Sequence, residues 1–231
     1  MMRQKLPKFL AILGGCLLGG GIVLAGAGFV AMGCNLDAYT GGKEAPQPLT
    51  ASYSQGAVTA VKVDASVGDV AVIGAEAGGD LEVLYSTRYT CQVENGVLTL
   101  TAQEGAGDWK WYRIWNSWEG REDGVTIQVP WDMLLSYDLT TGVGDLRMED
   151  VDAERVAVAG DSGDIRLYRV TGTDFTVSHG VGNTHLENCQ GEDLSLSADV
   201  GTAQMEDCRF TDAGMEAFTG DLLLYTSDFD T

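Results

Sequence analysis

Five aromatic side chains, Trp109, Trp111, Tyr112, Trp115 and Trp118, crowd ten positions between Gly107 and Gly120, interleaved with Lys110, Arg113 and Arg121. Indole and phenol rings join an apolar body to a polar edge, so such a cluster can stack on glycans or sit among membrane headgroups. The alternation of Trp109 with Trp111 suggests a hairpin arm. The competing expectation is structural, with the rings covering an open end of the fold.

A second set of residues is defined by spacing. Gly68, Gly144, Gly163, Gly182, Gly201 and Gly220 are followed by Asp69, Asp145, Asp164, Asn183, Thr202 and Asp221, and the last five glycines lie 19 residues apart each time. Stacked carboxylates invite comparison with a calcium ladder. That ion, however, needs about six to eight oxygens converging on one point, and the Gly-rich nonapeptide of calcium-binding β-rolls is missing. Corner chemistry is the expectation instead, with glycine taking positive φ and Asp or Asn bonding the nearby backbone. No cofactor or metal is expected.

Cys189 and Cys208 share one column of the repeat, seven residues after the glycine, where Val151, Val170 and Ser227 stand in other copies. Neighbouring coils place equivalent Cα atoms about 4.8 Å apart, within disulfide range. The expectation ranked ahead of a disulfide staple is two reduced cysteines packing as small buried hydrophobes where valine stands elsewhere. His179 and His185 are the two histidines and fall in different columns, and no Ser or Cys nucleophile has the surroundings of a triad. Asp164 with Arg166 and Arg147 could mimic the acidic and arginine clefts of polysaccharide lyases, but that rests on fold analogy. The chain reads as a non-enzyme.

The elements that must position these groups follow from the repeat itself. Two residues after each glycine come Leu146, Ile165, Thr184, Ala203 and Leu222, and four after come Met148, Leu167, Leu186, Met205 and Leu224. Arg147, Arg166, His185, Gln204 and Leu223 lie between, which is strand alternation with the apolar side inward. A second strand places Val156, Phe175, Leu194 and Ala213 inward, then Val158, Val177, Leu196 and Met215. Two strands and two corners in each 19-residue repeat predict one coil of a parallel β-solenoid, right-handed because parallel crossovers nearly always are. The fold class is therefore all-β, a single-stranded right-handed parallel β-helix. Regular repeats are expected over 135–231, and hairpins with the aromatic insertion over 81–129. Asn95-Gly96 is the strongest turn signal there.

From Phe9 to Leu36 no residue is charged, long enough for a membrane helix. Arg3, Lys5 and Lys8 all precede it, so the positive-inside rule keeps residues 1–8 cytoplasmic and exports the rest. The expected order is a single-pass anchor over 9–36, a linker over 37–55 and an extracytoplasmic domain over 56–231. Ala31-Met32-Gly33-Cys34 offers an imperfect lipoprotein alternative. Gly15 and Gly19 form a small-xxx-small pair through which anchors could self-associate. Beyond the anchor, 11 basic side chains face 34 acidic ones. Such a surface repels phosphate, which argues against nucleic acid as a partner.

The order of these features, with Val129-Pro130, Leu139-Thr140-Thr141-Gly142-Val143-Gly144-Asp145-Leu146 and Asp161-Ser162-Gly163-Asp164-Ile165-Arg166-Leu167, resembles a bacterial family of unknown function commonly labelled "putative adhesin". The resemblance implies an anchored solenoid in the cell envelope and supplies no catalytic residues. Expected partners are the membrane and an envelope glycan or protein. Self-association through the anchor or the open last coil is a further expectation. An accessory or sensor role in an envelope-stress response, and a carbohydrate-active enzyme, are the alternatives.

Overall fold

The computed structural model describes residues 47–103, 124–225 and 227–229, which lie in one compact unit. Among them every regular element is a strand. The first seven are β1 (Pro48–Tyr53), β2 (Ala60–Val67), β3 (Val70–Ala75), β4 (Leu81–Ser86), β5 (Tyr89–Glu94), β6 (Val97–Ala102) and β7 (Val125–Pro130). The repeats supply β8 (Leu135–Val143), β9 (Leu146–Ser162), β10 (Ile165–Thr171), β11 (Asp174–Val181), β12 (Thr184–Glu187), β13 (Gln190–Val200), β14 (Ala203–Glu206), β15 (Arg209–Thr219), β16 (Leu222–Tyr225) and β17 (Asp228–Phe229).

Parallel ladders stack these strands with the one-repeat offset that the spacing predicts. On one face Val156 lies opposite Phe175, Phe175 opposite Leu194, and Leu194 opposite Ala213. On another, Leu146 faces Ile165, which faces Thr184 and then Ala203 and Leu222 in turn. The inward columns are the expected ones: Leu146, Met148, Leu186, Ala203 and Met205 have no exposed surface. Each coil alone could not bury such a face; stacking does.

The coil has three sides rather than the two expected. A short third ladder pairs Val151 with Val170, Thr171 with Gln190 and Gln190 with Arg209. The extra bend comes from Asp150, Arg169, Asn188 and Asp207, which take left-handed φ values of 56°, 51°, 53° and 51°. Asp and Asn tolerate that conformation because their short polar side chains bond locally. Arg169 is the exception in type.

The glycine column answers to a close approach as well as to φ. Gly182 has φ 141°, and a Cβ built on it would lie 1.7 Å from the carbonyl oxygen of Gly163. Each coil's glycine therefore rests on the backbone of the coil before it.

The opposite end is built differently from expectation. The expected β5–β6 hairpin is present, but β6 and β7 also join β2 and β3 in parallel and form a coil of their own. The coil of β2 and β3 is thus interior, since β8 and β9 pair with its other edge. Outside β6 and β7 the ladders turn antiparallel: β5 covers β6 through the Asn95-Gly96 hairpin, and β4 covers β7. β1 pairs antiparallel with β4, so the expected linker over 37–55 contains a strand of the domain. Among the described residues no helix is long and apolar enough to cross a membrane, and the expected anchor over 9–36 lies outside them.

Candidate functional site

The corner carboxylates are engaged by backbone. Asp69 Oδ1 accepts the Asp145 N–H at 2.9 Å, Asp145 accepts that of Asp164 at 2.9 Å, and Asp164 accepts that of Asn183 at 3.0 Å. Asn183 then accepts from Thr202 at 3.3 Å. From Asp69 to Thr202 each coil caps the next, and an amide carbonyl serves at Asn183 where a carboxylate serves in the earlier coils. Arg166 pairs with both Asp145 and Asp164, easing the repulsion between stacked carboxylates. Arg147 pairs with Glu149. Asp164 and Arg166 thus share one set of ion pairs along the stack, and Arg147, paired with Glu149, is not joined to it.

At the second corner Arg169 lies across the Asp150 carboxylate through two nitrogens and over the Tyr168 ring, 3.8 Å from its centroid. The hydrogen bonds from Arg169 hold Asp150 below the ordinary carboxylate range. This clamp explains how an arginine occupies a left-handed position.

Cys189 and Cys208 are both free thiols and buried, in the column where Val151 and Val170 stand elsewhere. Cys91 is a third free thiol, at the antiparallel end, 3.3 Å from the Tyr53 hydroxyl. Burial, then the bond to Cys91, pushes Tyr53 up to about 12. His179 is buried, its Nδ1 2.9 Å from Thr184 Oγ1, between Gly160 and Ala198 of the flanking coils. The small neighbours make room for the imidazole. His185 lies on the other side of the strand alternation, so the two histidines form no pair.

One surface column escaped the sequence reading. Arg155, Asp174, Asp193 and Asp212 stand opposite one another on successive strands and line a shallow groove with Thr176 and Ser195. Acids recurring at one fixed place in each repeat were the available signal. A second such column is aliphatic: Val67, Val143, Val181 and Val200 precede the corner glycines and are 44%, 50%, 54% and 46% exposed.

The aromatic cluster Trp109, Trp111, Tyr112, Trp115 and Trp118 lies outside the described residues, whereas its two attachment points do not. β6 ends at Ala102 and β7 begins at Val125, and these strands flank β2 and β3, which the Gly68-Asp69 corner joins. Val125 N–H donates to Asp69 O at 2.8 Å. The cluster is therefore inserted where the other coils have a two-residue corner.

Comparison with known proteins agrees with this architecture. A "putative cell adhesion protein" from Clostridium sporogenes superposes with TM-score 0.50 at 12% identity, over 80% of this chain and 100% of that one. A "putative adhesin" from Bacteroides fragilis follows with TM-score 0.34 and 15% identity, over 79% of this chain and 97% of that one. At these identities the first establishes a shared fold. Among curated proteins none matches this chain in sequence. The sequence pattern of Toastrack DUF4097 matches residues 82–230, most of the chain and all of the regular coils, and the chain belongs to that family.

Proposed function

We propose that this protein is a single-pass membrane protein whose solenoid, wound right-handed, stands outside the cytoplasm and acts by binding an envelope glycan or protein, without turnover. The apolar run over 9–36, with Arg3, Lys5 and Lys8 before it and Lys43 as the nearest basic residue after it, supports the sidedness. The adhesion-related name of the Clostridium sporogenes protein that shares its fold supports a binding role.

The observation that carries the reading is the placement of the aromatic segment. A stretch with Trp109, Trp111, Tyr112, Trp115 and Trp118 stands in sequence where the other coils have a two-residue corner, and the strands on either side of it, β6 and β7, lie in parallel ladders. A rigid scaffold that carries an aromatic insertion is the usual arrangement for a recognition loop. Its rings offer flat faces for stacking on sugars.

A glycan-binding screen on the full chain in detergent, beside Trp111→Ala and Trp115→Ala, tests this. The expectation is binding that either substitution weakens at least tenfold. Binding that is absent, or that survives both changes, removes the aromatic segment as the ligand site. Gly15 and Gly19 favour a second reading, in which anchors pair and the protein serves as an envelope-stress sensor. Cross-linking between copies that Gly15→Leu abolishes would select it.

A further inference from the structure

We infer that Cys189 and Cys208 are a disulfide-forming pair that staples two successive coils of the solenoid. The two cysteines occupy equivalent positions on neighbouring coils. Glu187 stands opposite Glu206 just before them and Gln190 opposite Arg209 just after, and the Arg209 N–H donates to the Cys189 carbonyl at 2.9 Å. In-register parallel strands hold equivalent Cα atoms about 4.8 Å apart, inside the window a disulfide accepts. The side chains point the same way, into the coil interior, where they are 0% and 2% exposed. In the two preceding coils the column holds valine, so a small apolar side chain meets the packing need, and adjacent cysteines add a chemistry that valine lacks.

Both thiols donate to backbone carbonyls of their own coil and the one before, Cys189 to Leu167 and Glu187 at 3.5 Å and Cys208 to Glu206 at 3.3 Å and Leu186 at 3.5 Å. The neighbouring Cys208, then burial, pushes the Cys189 thiol well above the ordinary thiol range. Either thiol can open the exchange by giving its proton to solvent, and Cys208 lies on the coil nearer the exposed edge at β16. The Cys208 thiolate attacks a disulfide oxidant of the glutathione or thiol-disulfide oxidoreductase class, forming a mixed disulfide and releasing one thiolate. That thiolate takes the Cys189 proton. The Cys189 sulfur then attacks Cys208 and expels the second thiolate, which takes up from solvent the proton that Cys208 had lost. Two S–H bonds are replaced by one S–S bond, and the oxidant is reduced to two thiols.

Position gives the staple its purpose. It lies one coil in from β16, whose inward residues Leu222 and Leu224 are 37% and 45% exposed. Opening of the stack would begin at such an edge. Burial also means that the oxidant reaches the thiols while this edge is open, or before the coils close.

The test uses the full chain in detergent, taken through an unfolding and refolding cycle in a glutathione redox buffer, then alkylated and cut with trypsin. Residues 170–209 form one tryptic peptide that contains both cysteines. The expected peptide is lighter by two hydrogens and takes up no alkylating group, while Cys91 is alkylated. The oxidised chain should melt about 6–12 °C above the reduced one. A Cys208→Val chain, with valine as at Val170, should fold, keep Cys189 alkylatable and show no redox shift in melting. Two alkylatable thiols after the cycle, a bridge to another cysteine, or a lower melting point on oxidation would each overturn the inference.

Discussion

The two ends of the stack solve one problem in opposite ways. The coils from Leu146 to Tyr225 are copies, each held by parallel ladders, a glycine column and a chain of corner caps. The other end abandons repetition: β4 and β5 run antiparallel against β7 and β6, and β1 closes β4. Natural sheets manage exposed edges by covering them, and antiparallel strands do so here. Repetition builds length from few instructions, and irregularity is kept for the places where the fold must stop and where the aromatic segment is attached.

The comparison breaks most readily at glycine. Gly182→Ala drives a Cβ to 1.7 Å from the Gly163 oxygen, so loss of roughly 4 kcal/mol or failure to fold is expected by urea denaturation. Gly56 lies near the antiparallel end with φ 82° and nothing within 4 Å, so Gly56→Ala should lose about 1–2 kcal/mol from backbone strain. Equal losses would show that the glycine column is not specific to the coils.

Core truncation sharpens the picture next. Leu186 is 0% exposed and its equivalent Leu224, two coils on, is 45% exposed. Leu186→Ala should cost about 2–5 kcal/mol. Leu224→Ala should cost about 1 kcal/mol or less, since much of its surface already faces water.

A smaller effect distinguishes the two chemistries of the corner. Asp164→Ala removes the acceptor of the Asn183 N–H and should cost about 1 kcal/mol. Asp164→Asn keeps a carbonyl oxygen, as Asn183 itself does toward Thr202, and should be nearly neutral. If both destabilise equally, the negative charge rather than the hydrogen bond holds the corner.

The smallest effect is a pH dependence with one clamp in each region. Arg169 holds Asp150 low among the coils, and the Gly78 N–H and Gln55 hold Asp132 low near the other end. A carboxylate depressed in the folded state stabilises above its unfolded value of about 4. That contribution disappears as pH falls through the lower folded value. Melting from about pH 5 down to about pH 3 should therefore fall less steeply in Asp150→Asn and Asp132→Asn than in the parent. Both carboxylates are solvent-exposed, which keeps the differences small.

The regular coils were legible because their signals are one-dimensional. An evenly recurring glycine and two apolar columns can be read without knowing any contact, and Leu146, Phe175 and Leu194 lie inward as that reading requires. The third side was hidden because its left-handed column, Asp150, Arg169, Asn188 and Asp207, includes an arginine that breaks the turn signal. Only the Asp150 clamp, a neighbour in space, makes that residue intelligible. At the antiparallel end the Asn95-Gly96 hairpin was legible, and the parallel pairing of β6 and β7 was not, for a related reason. The alternation in β6 and β7 marks them as strands and says nothing about which edge they join. The acidic column of Arg155, Asp174, Asp193 and Asp212 was visible as spacing, and its groove was not, because a groove depends on how the face curves.

The interior position of β2 and β3 has a consequence for the order in which the chain can assemble. One flank of that coil is completed by β6 and β7, which arrive only after β4 and β5 have been made, and the other by β8 and β9, further downstream still. A polypeptide emerging N-terminus first must keep its earliest coil waiting until Glu149, the partner of Ile73, has appeared. The later coils, each needing a partner a single repeat away, can then close one after another as fast as they are delivered.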